Sequence, residues 1–96
     1  MGKYEQIIEW VFNKNYKSGN VRISFNREEL VQASDALKIE RIRNLGDIPY
    51  SFRFRRELPK NIQEKAPDGA EWIIVGTGVS EYQFRLASPG KIEPAV

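Results

Sequence analysis

The sequence predicts an α+β domain of three or four short helices and a small antiparallel sheet that ends in a β-hairpin. Apolar residues near the start repeat at helical spacing. The residues after them alternate with the period of a strand, and two β-rich runs late in the chain flank a loop with two glycines. The 96 residues suffice for one hydrophobic core, and 41% hydrophobic with 29% charged residues is the balance of a folding chain, so residues 1–87 are expected to form one domain.

The first helix starts near Tyr4. Tyr4, Ile7, Ile8, Val11 and Phe12 fall at i, i+3, i+4, i+7 and i+8, with Lys3, Glu5, Glu9 and Asn13 on the opposite face. Ser18-Gly19-Asn20 ends it, and Val21, Ile23 and Phe25 then alternate with Arg22 and Ser24 as in a short half-buried strand. Asn26 is a good N-cap for a second helix over about 27–37. Glu28 and Glu29 favour its positive end, and Leu30, Ala33 and Leu37 repeat along one face.

In residues 38–46 Ile39, Ile42 and Leu45 are spaced by three and Gly46 can supply a left-handed cap, which predicts a short third helix. Residues 47–56 admit two readings. Tyr50, Phe52 and Phe54 alternate with Ser51, Arg53 and Arg55 as in a strand, whereas Asp47 followed by Pro49 suits the opening of a helix. Pro59 starts a short helix to about Lys65, closed by the turn cluster Ala66-Pro67-Asp68-Gly69. Residues 71–86 form the hairpin around Gly76-Thr77-Gly78-Val79-Ser80. Residues 88–96, with two prolines and no periodicity, are expected to begin a linker to a C-terminal domain. Helix, strand, helix, short helix and hairpin is the element order of a winged helix-turn-helix.

Composition narrows the chemistry. Without cysteine or histidine there is no disulfide, no thiolate nucleophile, no ordinary zinc site and no imidazole acid-base group. The carboxylates Glu28, Glu29, Glu40, Glu57 and Glu64 show only the spacing of caps and solvated helix faces, and Gln63-Glu64-Lys65 lacks the spacing of a metal-dependent nuclease site. No catalytic residue, metal or cofactor is expected. Gly76-x-Gly78 has neither the following helix of a dinucleotide fingerprint nor the Lys-Ser/Thr of a P-loop. No apolar run approaches the ~20 residues of a membrane span, and the N-terminus lacks the pattern of a secretory signal, so a cytoplasmic protein without a membrane partner is expected.

The net charge of +2 is too small to identify a partner, but its distribution is uneven. Residues 38–60 hold seven cations against three anions, a local net of +4. In a helix-turn-helix this stretch is the groove-facing helix and the segment after it, which points to double-stranded DNA as the partner. Arg41, Arg43 and Asn44 are the candidates for base contacts, because arginine spans guanine O6 and N7 and asparagine reads adenine. Arg53, Arg55, Arg56 and Lys60 are candidates for phosphate contacts, and Thr77 and Ser80 for contacts from the hairpin wing. The competing readings are an edge strand with a solvated arginine face over a Tyr50, Phe52, Phe54 core, and aromatics that stack on single-stranded bases. Trp10 and Trp72 are expected to anchor the core. Winged helices also dimerise or dock on proteins through the first helix and the hairpin, which is the alternative function.

On residues 47–59, on Glu71-Trp72-Ile73-Ile74-Val75-Gly76 and on Tyr82-Gln83-Phe84-Arg85-Leu86, the chain resembles the N-terminal winged-helix domains of bacterial restriction-endonuclease-like proteins, over roughly residues 3–96. The resemblance implies a DNA-targeting role for the arginine segment and a nuclease domain downstream that supplies the metal-binding carboxylates. It carries no catalytic residue into this chain.

Overall fold

The computed structural model describes residues 2–87. In chain order it has α1 (Lys3–Asn15), β1 (Arg22–Asn26), α2 (Arg27–Ala36), α3 (Asp47–Phe54), α4 (Lys60–Gln63), β2 (Glu71–Gly78) and β3 (Glu81–Ala87). The three strands form one antiparallel sheet in the order β1-β3-β2, so the hairpin strand β3 is central. The expected linker, residues 88–96, lies outside the described residues. Among those described, no helix is long and apolar enough to cross a membrane.

α1 forms as its periodicity predicts, and Ile7, Ile8, Val11 and Phe12 are fully buried. They meet the inner sheet face, where the register places Ile23 opposite Phe84 and Phe84 opposite Ile74. Phe12 packs edge-on against both Trp72 and Phe84, each at 5.1 Å between ring centroids, which is the favoured aromatic geometry. Trp72 is the core anchor expected of it; Trp10 is only half-buried, with the Lys14 ammonium 5.8 Å from its ring centroid. Val21 does not join the inward row of β1. It precedes the strand and is 59% exposed.

α2 opens on a complete capping box: the Glu29 N–H donates to Asn26 Oδ1 at 3.2 Å and the Asn26 N–H donates to Glu29 Oε2 at 3.0 Å. Glu29 Oε1 also accepts from Asn15 Nδ2 at 2.8 Å, so one carboxylate joins the end of α1 to the start of α2.

The helix expected over 38–46 is absent. Instead α2 stops in a Schellman motif: the Ile39 N–H donates to the Ser34 carbonyl at 2.9 Å and the Lys38 N–H to that of Asp35 at 3.2 Å, with Lys38 left-handed at φ 56°. Ile39, Ile42 and Leu45 still pack on the core, but from irregular backbone. Gly46 is not the left-handed cap; its φ is −63°, and it precedes α3.

Residues 47–54 settle as helix. Pro49 falls in the first turn, where its missing N–H would have had no intrahelical partner. Ile48, Pro49, Ser51 and Phe52 are buried, a helical stripe, which leaves Tyr50 and Phe54 on the outside. The edge-strand reading, with all three aromatics as core, is therefore overturned. The helix after Pro59 is shorter than expected. The Gln63 side chain leaves it to clasp the rim of β2, accepting from the Trp72 N–H at 2.8 Å and donating to the Trp72 carbonyl at 2.9 Å.

Candidate nucleic-acid interface

α3 is held at both ends by side chains of α1. At its start the Tyr4 hydroxyl donates to Asp47 Oδ2 at 2.8 Å. Just beyond its end Arg56 Nη1 lies 3.0 Å from Glu5 Oε1, with the guanidinium over the rings of Tyr4 and Phe52. The Tyr4 phenol is held above its usual 10.0, first by the hydrogen bond to Asp47, then by burial and by repulsion from the Asp47 charge; Arg56 opposes these weakly. Asp47 stands in the first turn and Arg53 in the last, each the charge that the helix dipole favours.

Between these anchors α3 turns Tyr50, Arg53 and Phe54 outward. Tyr50 is 46% exposed and Phe54 63%, large values for aromatic rings, and the two lie one turn apart with centroids 4.9 Å from each other. Arg53 Cζ sits 4.8 Å from the Phe54 centroid and Arg55 Cζ 5.3 Å from that of Tyr50. Two guanidinium planes and two rings thus form one continuous exposed face. No carboxylate pairs with Arg53 or Arg55 among the described residues. The other side of Arg53 rests on β2. A Cβ at Gly76 would stand 3.2 Å from Arg53 Nη1, so the missing side chain makes room for the guanidinium beside the hairpin.

The other residues singled out in the sequence are dispersed. Arg41, Arg43 and Asn44 are exposed, but on the irregular 37–46 connection rather than on a groove-facing helix, and Arg41 lies 3.6 Å from Asp35 Oδ2. Arg56 is engaged with α1 and is a structural arginine as much as a surface one. Lys60 begins α4, exposed and without an ion-pair partner among the described residues. Thr77 borders a shallow depression with Asn26, Glu29 and Glu81, whose carboxylates disfavour a phosphate. Ser80, left-handed at φ 57°, forms the hairpin turn, and its carbonyl accepts from the Arg27 N–H at 3.1 Å. The hairpin turn is therefore tied to the start of α2, with Val79 at its tip 95% exposed.

In the sequence Tyr50, Phe52 and Phe54 read as a core row or as a stacking surface; in the structure they divide between the two. Tyr50 and Phe54 stand at i, i+4, the spacing that puts both on one helical face, and this becomes decisive only once the helix is known. Behind α3 a groove of about 390 Å³ is lined by Arg53, Arg56, Glu57, Leu58, Glu71 and Trp72, a mixture of cations, carboxylates and apolar side chains. Compared with known protein families, curated proteins and solved structures, the chain matches none.

Proposed function

We propose that this chain is a DNA-binding domain of the winged-helix type, the targeting module of a DNA-processing protein, with the exposed face of α3 as its contact surface. The order of one helix, a strand, three helices and a hairpin, with the strand order β1-β3-β2, supports the fold reading. One departure accompanies it: residues 37–46 replace the tight turn of an ordinary helix-turn-helix, which moves Arg41, Arg43 and Asn44 off the contact helix.

The observation that carries the reading is the state of Arg53 and Arg55. Both are exposed, both are positioned by stacking on a ring, and neither balances a carboxylate among the described residues. A cation held in place without an internal counter-ion is available to an external anion, and paired planar guanidiniums suit phosphate.

The test is fluorescence anisotropy of the Arg53→Ala/Arg55→Ala variant against a random-sequence duplex and its single strand. Arg56 is left intact, because its removal would loosen α3 from α1 and confuse binding with folding. Affinity should fall by about tenfold or more with the fold retained. Unchanged affinity in a folded double variant would sink the proposed surface. A salt-indifferent interaction with a protein instead would favour docking through the same exposed rings.

A further inference from the structure

The structure points to a more specific ligand, and this inference rests on the DNA-binding reading above: we infer that α3 engages DNA through unpaired bases, so that a single strand or a duplex carrying an unpaired tail is its ligand rather than a continuous duplex. A helix that reads B-DNA from the major groove presents hydrogen-bonding groups to base edges. α3 presents something different. Its outward positions are Tyr50, Arg53 and Phe54, two aromatic faces and one guanidinium plane, joined by the Arg55 plane over Tyr50. The Phe54 ring has no hydrogen-bonding atom, and at 63% exposure it would meet the polar edges of paired bases at a loss.

Unstacked bases have the opposite chemistry. Each offers a π face to an aromatic ring or an arginine plane, and its phosphate lies within reach of a neighbouring cation. The four planar groups supply both needs on one short surface. Tyr50 and Phe54, 4.9 Å apart at an interplanar angle of 55°, remain 46% and 63% exposed, which leaves ring area for an incoming base. Arg53 and Arg55 flank the pair within 4.8 Å and 5.3 Å of the ring centroids. The rings are therefore surrounded by positive charge, which favours a polyanion with aromatic bases over an apolar protein surface.

Three labelled probes test this: a random-sequence blunt duplex, the same duplex with a single-stranded tail, and an oligothymidylate of about 15 nucleotides, a length in the range that one single-strand-binding domain covers. Wild type should bind the tailed duplex and the oligothymidylate at least about tenfold more tightly than the blunt duplex, as expected for one stacked base. Tyr50→Ala/Phe54→Ala should abolish that preference, bringing its affinities for the three probes within about twofold of one another. Both side chains are exposed, so the variant should keep its circular dichroism spectrum, and Tyr50→Phe/Phe54→Tyr, which preserves the rings, should restore the preference. Equal binding of all three probes by wild type, with the alanine variant unchanged, overturns the unpaired-base inference and leaves the DNA-binding reading standing. Absence of binding to every probe at micromolar protein overturns both.

Discussion

Replacing Tyr4 with Phe removes one hydroxyl and leaves the ring, which isolates the bond that seats α3 on α1. The lost interaction is a hydrogen bond of 2.8 Å to a carboxylate. Bonds to charged groups contribute about 1.5–3 kcal/mol, and partial exposure of this pair discounts that to about 1–1.5 kcal/mol. For a domain of this size that is a fall in Tm of roughly 5–10 °C. The effect also has a pH signature. Because the folded-state pKa of Tyr4 is raised above 10.0, the folded protein prefers the protonated phenol. Its contribution is fully present below the unfolded value of 10.0 and is lost as pH rises through the folded value. Urea titrations of wild type and Tyr4→Phe from neutral to strongly alkaline pH should therefore give a stability gap that is constant below pH 10.0 and narrows as the pH rises from there through the folded value. Every other ionisable group is common to the two proteins, so its contribution cancels in the gap. A gap below about 0.3 kcal/mol at neutral pH, within the error of independent-site additivity, or a gap that persists unchanged into the alkaline limb, would refute the seating of α3 by this bond.

The same packing sets the cost of other substitutions. Lys38→Gly should stabilise by about 0.5 kcal/mol, since a left-handed non-glycine costs about 1–2 kcal/mol and glycine returns part of that as unfolded-state entropy; a lower urea midpoint would contradict the Schellman ending of α2. Glu29→Ala should cost about 2 kcal/mol by breaking the capping box and the bond from Asn15, with Glu29→Gln recovering part; an equally stable alanine variant would show that the α1–α2 junction is held otherwise. Phe12→Ala removes the ring against which both Trp72 and Phe84 pack, and should cost about 3–5 kcal/mol, visible as loss of near-ultraviolet circular dichroism or a sharply lowered Tm. Retention of wild-type stability would remove Phe12 from the centre of the core.

Where one physical signal dominated, the sequence was readable. The apolar stripe of α1 and the N-cap at Asn26 each had one interpretation, and each is realised; Glu29, legible in the sequence only as a charge favouring the helix's positive end, also closes a capping box. The hairpin was legible too, although its turn is tighter than the five-residue loop expected and is closed by Ser80 in a conformation usually left to glycine or asparagine. The 38–46 segment imitates a helix because its apolar residues recur every three positions, while the signal that ends α2 is a left-handed Lys38, where the usual sign is glycine. Tertiary burial of Ile39, Ile42 and Leu45 needs no helix once the preceding one has been turned back. Residues 47–54 satisfied two periods at once, through aromatics at 50, 52 and 54 and through Ile48, Ser51 and Phe52. Packing of Phe52 alone against the core decided between them. The arginine-rich segment was visible as a charge surplus, but its division was not: Arg56 turns to Glu5 while Arg53 and Arg55 remain on the surface with the rings.

The central claim is that Arg53 and Arg55 meet phosphates. The salt dependence of binding tests it most directly, because each phosphate contact adds about −0.7 on single strands and about −0.9 on duplex to the slope of log K against log salt. The expected result is a clearly negative wild-type slope that becomes shallower by about 1.4 to 1.8 in Arg53→Ala/Arg55→Ala. A wild-type slope near zero, or an identical slope in the two proteins, would contradict it.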